Sequence, residues 1–481
     1  MSTFDSLNPI TGEVIATFPI HSEMEVHTQV DASLLASPLW QTLGYNGREE
    51  VLRAWSKEIS GRSDELARLV ASETGKPLSD ASLEVALAIE QLSWAAKNAK
   101  KILSESKRPS GLLMFNMKSK VQRVPFGTVG VIGPWNYPVF TPMGSIAYSL
   151  AAGNTVVFKP SEFTPAVGMW LADSFKSITP FPNIFSVVTG FGETGSALTT
   201  SRVGKVSFTG STRTAKKVAA SCAQSMKPVV LECGGKDPVI VDRDANIKLA
   251  VEYALWSSMA NAGQSCIGAE RVYVHQDIRE NFIAEMRKQV GHIHAGKSYG
   301  PATMPSQLQV IDRHIKDAAS RGATFLAGGV DAVGDHLVQP TIMLDVPEDS
   351  TAMTEETFGP TLAINSVENM DEAVALSNAS SYGLAAAVFS KKNGERIAAS
   401  LHCGMVSVNS VFTFAAVASA PFGGVKDSGY GRIHGYEGLL EFTYPRTIVA
   451  AQFDLPLHFT SFKRNALADR IIKTIIKLKT R

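Results

Sequence analysis

The sequence has few cysteines and almost no imbalance of charge. Its 481 residues include four cysteines, no two of which form a CxxC pair: Cys222, Cys233, Cys266 and Cys403. This spacing argues against a disulfide framework and against a zinc site, and it favours a reducing compartment. With 46 Lys and Arg against 45 Asp and Glu, the chain gives no sign of nucleic acid as a partner.

Long apolar runs, targeting signals and repeats are missing as well. No stretch approaches the roughly 18 uncharged apolar residues of a membrane span, and residues 1–10 lack the apolar core of a signal peptide. We find no repeat of fixed period. The sequence therefore predicts a cytoplasmic protein, and a chain of 481 residues, 44% of them hydrophobic, suffices for two to four packed units.

Short apolar strands alternate with helices after a first hundred residues that are predicted to be mostly helical. Ser63 is expected to cap a helix that Gly75 and Pro77 end. The predicted strands fall in two groups: residues 129–132, 155–158, 184–188, 205–208 and 229–231, then 239–241, 272–274, 385–389 and 405–408. Such alternation predicts parallel sheets with helices on their faces. A ligand site is expected at the carboxyl ends of these strands.

Cys266 lies in a glycine-containing segment, NAGQSCIG (residues 261–268), directly after a helical run. A cysteine in such a tight segment can present its sulfur to a cleft. Taken alone it is more often a small core residue, because free cysteines are usually buried.

Two other segments place polar side chains after strands. LECGGK (231–236) puts Glu232 at a strand end, where it could act as a general base; the alternative is a solvated loop carboxylate before a glycine turn. PWNYP (134–138) holds Asn136 between two prolines, and a rigid amide is a good donor to an oxyanion. Alternatively, Asn136 caps a helix that begins near Thr141.

A candidate phosphate site follows another strand. FTGST (208–212) closes that strand and opens a helix, where the helix N–H groups and the Ser211 hydroxyl suit a phosphate that Gly210 allows to approach. The full GxGxxG fingerprint is absent, so an ordinary helix cap is the alternative.

A candidate ribose site lies in KPSE (159–162), also at a strand end. Lys159 and Glu162 could bind the two ribose hydroxyls, or they could form a surface ion pair. A glutamate in the ribose position repels a 2′-phosphate and therefore favours NAD over NADP.

Together and in this order, these motifs resemble those of the aldehyde dehydrogenase superfamily. The resemblance covers nearly the whole chain, from NPITGE (8–13) to FGG (422–424), and six motifs in register are highly specific. It implies an α/β fold with a Rossmann-like NAD-binding domain, a second α/β catalytic domain and a small β oligomerisation arm. It also implies an enzyme that oxidises an aldehyde to the carboxylic acid as a homodimer or homotetramer, without a metal.

The resemblance also implies where the domains lie, with one boundary placed at the glycine pair 234–235. The expected ranges are 1–106 and 126–234 for the NAD(P)-binding domain, 235–427 for the catalytic domain, 107–125 and 440–455 for the arm, and 456–481 for a basic tail. Within the arm, residues 112–124 are expected to form a hairpin and residues 447–451 a strand.

Roles for individual residues follow from the resemblance. Cys266 would be the nucleophile, attacking as the thiolate. Glu232 would activate water and help to deprotonate the thiol, and Asn136 would form the oxyanion hole with the backbone N–H of Cys266. The cofactor is expected to be NAD, with NADP as the alternative, and the residues implied to bind it are Trp135, Lys159, Ser161, Glu162, Gly210, Ser211, Glu356 and Phe358.

Two positions depart from the family pattern. Ala215 replaces the second glycine of the phosphate turn, and Cys233 stands where leucine is commoner. Cys233 is either a packing variant or a second oxidisable thiol. Relatives that transfer the acyl group to coenzyme A tend to lack the glutamate at position 232, so water is the expected second nucleophile.

Several substrates are compatible with the sequence. A semialdehyde such as succinic semialdehyde is expected, and a medium-chain or aromatic aldehyde is the alternative. A non-catalytic binding protein on the same fold is the alternative of another class, which the presence of Cys266, Glu232 and Asn136 argues against.

The last twenty residues, 462–481, form a basic amphipathic segment. They contain seven Lys or Arg and one Asp, and Leu467, Ile471, Ile475 and Leu478 share one helical face. Such a helix can make peripheral contact with an anionic membrane. Packing on its own subunit or on a neighbour is the commoner arrangement.

Overall fold

The computed structural model describes residues 2–455, 459, 461–462 and 464–479. The chain divides into two units, one of Met1–Ile102 with Pro125–Thr443 and the other of Leu103–Val124 with Tyr444–Arg481. The first unit contains a six-stranded and a seven-stranded sheet, and the second contains a three-stranded sheet.

The chain begins with a β-hairpin followed by four helices. These elements are β1 (Thr3–Leu7), β2 (Val14–Pro19), α1 (Glu23–Thr42), α2 (Gly44–Gly61), α3 (Ser63–Thr74) and α4 (Leu78–Leu103). The hairpin was not predicted, because most of its residues are exposed or half-buried and alternate irregularly. Ser63 is the first residue of α3 and not its cap, whereas Gly75 ends the helix in a left-handed conformation, as predicted.

From residue 106 to residue 232 the chain forms seven strands and four α-helices. The elements are β3 (Ser106–Arg108), β4 (Met117–Pro125), β5 (Thr128–Ile132), α5 (Phe140–Ala152), β6 (Thr155–Lys159), α6 (Pro165–Ile178), β7 (Phe185–Val187), α7 (Gly192–Thr200), β8 (Lys205–Thr209), α8 (Thr212–Ala223) and β9 (Val229–Glu232). The five predicted strands from residue 129 to residue 231 correspond to β5 to β9.

The alternation continues to residue 408. The elements are β10 (Asp237–Val241), α9 (Ile247–Met259), β11 (Ala269–His275), α10 (Arg279–Val290), α11 (Ser306–Ser320), β12 (Thr324–Ala327), β13 (Thr341–Leu344), α12 (Thr351–Thr354), β14 (Thr361–Val367), α13 (Met370–Asn378), β15 (Ala385–Phe389), α14 (Gly394–Ala399) and β16 (Met405–Val408). The remaining elements are α15 (Thr413–Ala416), β17 (Gly429–Tyr430), α16 (Gly435–Glu441), β18 (Thr443–Ala451) and α17 (Ala466–Lys479).

Both large sheets are parallel except at one edge. The six-stranded sheet has the order β17-β9-β8-β5-β6-β7, with β17 antiparallel to β9. The seven-stranded sheet has the order β12-β13-β14-β11-β10-β15-β16, with β12 antiparallel to β13. Every residue of β6, β10 and β15 is buried, as expected of parallel strands covered by helices on both faces. The predicted α/β fold class is confirmed.

The small sheet has the order β18-β4-β3 and lies wholly in the second unit. The prediction of a hairpin over residues 112–124 is wrong at its start, since Leu112–Met114 is a short 3-10 helix and β4 pairs with β3. Those three side chains are exposed, so the apolar run does not mark a buried strand. The strand expected over residues 447–451 is part of β18.

A buried carboxylate, Glu73, joins three elements of the first unit. Its oxygens accept hydrogen bonds from the Ser6 hydroxyl of β1 at 2.5 Å and from the Ala166 and Val167 N–H groups of α6 at 2.9 and 3.0 Å. Burial raises the pKa of Glu73 from its usual 4.5 to about 7. Glu73 thus caps α6 from outside that helix.

The pKa of Glu73 gives the stability of the fold a pH dependence of known sign. Between about pH 4.5 and 7 the unfolded chain ionises this carboxyl more readily than the folded chain, so its contribution to stability falls as pH rises. A shift of this size corresponds to about 3 kcal/mol. The glutamine in Glu73→Gln does not titrate. The melting temperature of the variant minus that of the wild type should therefore increase between pH 4 and pH 8. A constant difference between the two proteins would contradict the assignment.

Candidate active site

The carboxyl edge of the six-stranded sheet brings the predicted polar side chains together. β5 leads into the Asn136 segment, β6 ends at Lys159, β8 leads to Gly210, and β9 ends at Glu232. Because these strands are parallel neighbours, their carboxyl ends lie along one edge.

Asn136 is buried and fixed through both its side chain and its backbone. Its amide Nδ2 donates to the carbonyl of Gln264 at 3.0 Å, which ties it to the segment two residues before Cys266. Its own carbonyl accepts from Lys76 Nζ at 2.7 Å and from Asn261 Nδ2 at 3.1 Å. It does not cap a helix, since α5 begins at Phe140 and its cap position is Val139.

A buried ion pair supports the Asn136 segment and was missed by sequence reasoning. Lys76 Nζ lies 2.7 Å from Glu84 Oε2, and both side chains are fully buried. Glu84 Oε1 accepts from the N–H groups of Val139 and Phe140 at 2.8 and 3.2 Å, the start of α5. The available signal was a charged residue on the buried face of α4, three residues after Ala81.

The segment before Cys266 has an unusual backbone. Asn261, Ala262 and Gly263 have φ values of 52°, 56° and 70°, so three successive residues are left-handed. A Cβ on Gly263 would lie 2.1 Å from the carbonyl oxygen of Gly359, so only glycine fits there. Strain of this kind is typical of functional segments, and here it leads to a cysteine that is partly exposed.

The thiol of Cys266 lies among carboxylates. Burial raises its pKa, and the nearby charges of Glu232, Glu356 and Asp237 raise it further. The thiol is therefore protonated at neutral pH, and formation of the thiolate needs a proton acceptor close by.

Glu232 has the properties of that acceptor. It is buried, and among the described residues neither of its carboxylate oxygens has a hydrogen-bond partner. Burial raises its pKa well above the usual value, opposed by Arg432 and reinforced by Glu441. A Cβ on Gly423 would lie 2.5 Å from Glu232 Oε1, so that glycine makes room for the carboxylate. Glu232 is therefore not the solvated loop carboxylate of the alternative interpretation.

Glu356 explains the glycine pair after β9. Its carboxylate accepts a hydrogen bond from the Gly235 N–H at 3.2 Å, and a Cβ on Gly234 would lie 2.0 Å from Glu356 Oε1. Burial and the charge of Glu270 raise the pKa of Glu356 to about 8. Gly234 thus allows the close approach of a carboxylate from a distant segment, whereas a Cβ on Gly235 would lie 2.4 Å from Asp237 Oδ1.

A second buried ion pair, also missed, positions the turn that carries Phe358. Lys236 Nζ donates to Glu270, whose carboxylate accepts from the Thr357 and Phe358 N–H groups at 2.9 and 3.0 Å. Phe358 is left-handed, with φ 51°, and its ring meets that of Trp135 at 5.6 Å and 86°. The predicted residues Trp135 and Phe358 are therefore in contact.

The remaining predicted cofactor residues lie on the same sheet edge. Lys159 Nζ and Ser161 Oγ each lie 3.4 Å from Glu162 Oε2. Ser211 is exposed and accepts from the Thr214 N–H at 3.4 Å, so it caps α8. The Gly210 N–H donates to the carbonyl of Glu232 at 3.0 Å and is already engaged.

These residues fit a dinucleotide. The N-terminus of the twelve-residue α8 suits a diphosphate, the Lys159–Glu162 pair suits ribose hydroxyls, and Glu356 suits a second ribose. Ala215 does not obstruct this arrangement, because its side chain is buried with Phe208 in the core.

Cys233 belongs to the same apolar cluster as Ala215. Burial, with the charge of Glu232, raises its pKa to about 12. These two properties favour a packing variant over an oxidisable second thiol.

A parallel sheet edge that combines a phosphate-binding helix end, ribose-type polar groups and a thiol among carboxylates is typical of a dinucleotide-dependent oxidoreductase. Residues 1–448 match the aldehyde dehydrogenase family, and the chain belongs to that family. It is an NAD(P)-dependent aldehyde dehydrogenase. The family and enzyme class predicted from sequence are confirmed.

Individual relatives act on different aldehydes. The chain is 36% identical to a glutarate-semialdehyde dehydrogenase of Pseudomonas aeruginosa over 91% of its length and 92% of the relative's. It is 34% identical to a 4,4′-diapolycopene aldehyde oxidase of Methylomonas, over 95% of this chain and 87% of that one. The structure of PnpE from Pseudomonas in complex with nicotinamide adenine dinucleotide superposes with a TM-score of 0.90 at 32% identity, with 96% of each chain covered.

Proposed function

We propose that Cys266 is the nucleophile, Glu232 the general base, and Asn136 with the Cys266 backbone N–H the oxyanion hole. The observation that carries this proposal is the convergence of three distant segments. The Asn136 amide is bonded to the Cys266 segment, and Glu232 is the nearby charge with the largest effect on the thiol.

The chemistry follows from these positions. Glu232 takes the thiol proton, and the sulfur attacks the aldehyde carbon to give a tetrahedral oxyanion that accepts hydrogen bonds from Asn136 Nδ2 and the Cys266 N–H. The bound dinucleotide supplies the hydride acceptor. Loss of hydride from the tetrahedral carbon leaves a thioester on Cys266. Once Glu232 has released the thiol proton to solvent, it takes a proton from water, and the hydroxide adds to the thioester carbon. Collapse of this adduct expels the sulfur, which regains a proton from Glu232, and releases the carboxylic acid.

Glu162 is proposed to set the coenzyme preference. Its carboxylate beside Lys159 would repel a 2′-phosphate, so Glu162→Gln should lower the KM for NADP by about tenfold with little change for NAD. Initial rates with both coenzymes measure this, and Glu252→Gln, an exposed carboxylate on α9, serves as the control. An unchanged ratio of kcat/KM for the two coenzymes would show that Glu162 does not face the ribose.

The substrate is an aldehyde, and the two candidate classes differ in whether the rest of the molecule carries a carboxylate. The expected semialdehyde has support in the relative that acts on glutarate semialdehyde. One observation favours an uncharged medium-chain or aromatic aldehyde instead. Two cations that act on the proposed catalytic residues are engaged: Lys76 is fully buried against Glu84, and Arg432 donates to the carbonyls of Gly424 and Gly431. Neither is free to bind a substrate carboxylate.

Absorbance of NADH at 340 nm with succinic semialdehyde, hexanal and benzaldehyde tests both the reaction and this choice. Oxidation of any of the three supports the reaction. A kcat/KM for hexanal or benzaldehyde above that for succinic semialdehyde supports the uncharged substrate, and the reverse order supports the semialdehyde. No NADH from a wider aldehyde panel would support the non-catalytic alternative.

The domain ranges and assembly expected from sequence remain proposals. Residues 1–106 with 126–234 would form the NAD(P)-binding domain, and residues 235–427 the catalytic domain. The arm, residues 107–125 with 440–455, would join subunits of a homodimer or homotetramer, because β3 and β18 are edge strands that can pair with another chain. Light scattering measures the molecular mass and so distinguishes a dimer from a tetramer.

A cytoplasmic location is supported by the four free cysteines.

A further inference from the structure

The C-terminal tail, residues 462–481, has a charge opposite to that of the rest of the chain. It contains seven Lys or Arg and one Asp, a net charge of +6. The remaining 461 residues contain 39 basic and 44 acidic residues, a net charge of −5. The tail also follows the segment that matches the aldehyde dehydrogenase family, which ends at residue 448. Its properties are therefore not explained by the catalytic fold.

The tail forms an amphipathic helix. In α17, Leu467, Ile471 and Ile475 lie within about 80° of each other, and Ile472 and Ile476 extend the same apolar side. The exposed cations Arg470, Lys473 and Lys477 lie on the opposite side. The acidic Asp469 is neutralised by Arg464, whose Nε lies 2.7 Å from its carboxylate.

Much of the apolar side is accessible. Leu467 is 52% exposed, Ile476 is 58% exposed, and Phe462 before the helix is fully exposed. Ile471, Ile472 and Ile475 are half-buried, and Ala468 is buried. The intramolecular packing that was the commoner alternative therefore leaves large side chains exposed.

We propose that this tail is an interfacial helix that binds the surface of an anionic lipid bilayer. Exposed Leu, Ile and Phe side chains would enter the boundary between headgroups and acyl chains, while the cations meet anionic headgroups. Charge complementarity selects this partner, because the helix presents exposed cations beside partly exposed apolar side chains, and an anionic headgroup layer over acyl chains accommodates both. None of the helices in the described part of the chain has the length and apolar character of a membrane span.

The test is co-sedimentation of the full-length protein with vesicles of phosphatidylcholine alone or with 30% phosphatidylglycerol, a composition chosen for the assay. Lys473→Glu with Lys477→Glu removes charge, and Ile476→Asp removes apolar contact. The matched controls are Lys57→Glu with Lys97→Glu, exposed lysines on α2 and α4, and Leu35→Asp, which is 83% exposed on α1.

The wild type should bind the anionic vesicles, release in high salt and bind neutral vesicles at least tenfold more weakly. Both tail variants should lose at least tenfold in partition coefficient, whereas the controls should stay within about twofold. Equal binding to both vesicle types, or no binding, would overturn the proposal. So would a fall in the molecular mass of the tail variants by light scattering, since that identifies a contact between subunits. Dehydrogenase activity without vesicles should be unchanged in every variant, which separates this result from the test of the catalytic residues.

Discussion

Replacing Cys266 with alanine is expected to reduce kcat by about 10⁴-fold or more while dinucleotide binding is retained. The thiol forms the only covalent bond between enzyme and substrate in the proposed chemistry, and no other group can carry the thioester. The proposed cofactor residues Lys159, Glu162 and Ser211 lie on other segments, at the ends of β6 and β8. Stopped-flow and steady-state NADH formation measure the loss, and quenching of tryptophan fluorescence by NAD measures binding.

The matched control is Cys403→Ala. Cys403 is also partly exposed, and its thiol donates a hydrogen bond to the carbonyl of Met405 at 3.3 Å. The substitution therefore removes the same sulfur atom from a cysteine that has no proposed role in the reaction. This variant should keep most of its activity. A Cys266→Ala variant that kept more than roughly one per cent of the wild-type turnover, far above the expected residual activity, would show that the sulfur has no covalent role.

Replacing Glu232 with glutamine is expected to lower kcat by about 10³-fold and to let the acyl-enzyme accumulate. Glutamine keeps the shape of the side chain at the end of β9 but cannot accept a proton from water. Intact-protein mass spectrometry after mixing with NAD and aldehyde should show the mass of the acyl group added to the chain. Glu437→Gln, an exposed carboxylate on α16, should show neither effect.

The rate of thioester hydrolysis is expected to depend on pH in a definite direction. Because burial raises the pKa of Glu232, the fraction of ionised base, and with it the hydrolysis rate, should increase as pH rises through that raised pKa. The residual hydrolysis in Glu232→Gln should lack this titration. A wild-type hydrolysis rate that shows no rise with pH would assign the base to another group.

The proposed catalytic residues could be predicted from sequence because each lies in a short motif directly after a strand. Parallel strands place such motifs on one edge whatever the details of packing. Lys76, Glu84 and Glu270 could not be found in this way, because the backbone groups that they bind are distant in sequence. Lys76 lies 60 residues from Asn136 and Glu270 lies 87 from Thr357. Nothing in the local sequence of either residue names its partner.

Local patterns also failed where the chain forms edges. The β1–β2 hairpin and the short strands β12 and β17 are paired through backbone groups, and their side chains show no strong periodicity. Conversely, the apolar run Leu112–Met114 suggested a strand, yet it is an exposed 3-10 turn. Pairing in these places depends on which backbone edge is nearby, and this is set by the rest of the fold.

The sequence by itself determined the strands between residues 129 and 231, the family, and the segments that carry the thiol, the carboxylate and the amide, because these follow from periodicity and from contiguous motifs. Only the tertiary structure decided that the pKa values of Cys266 and Glu232 are raised, since these depend on burial and on charges brought together from distant segments. It likewise decided that Ala215 points into the core and that Leu467 and Ile476 stay exposed. Both outcomes depend on which surfaces the folded chain covers, and no local pattern encodes that.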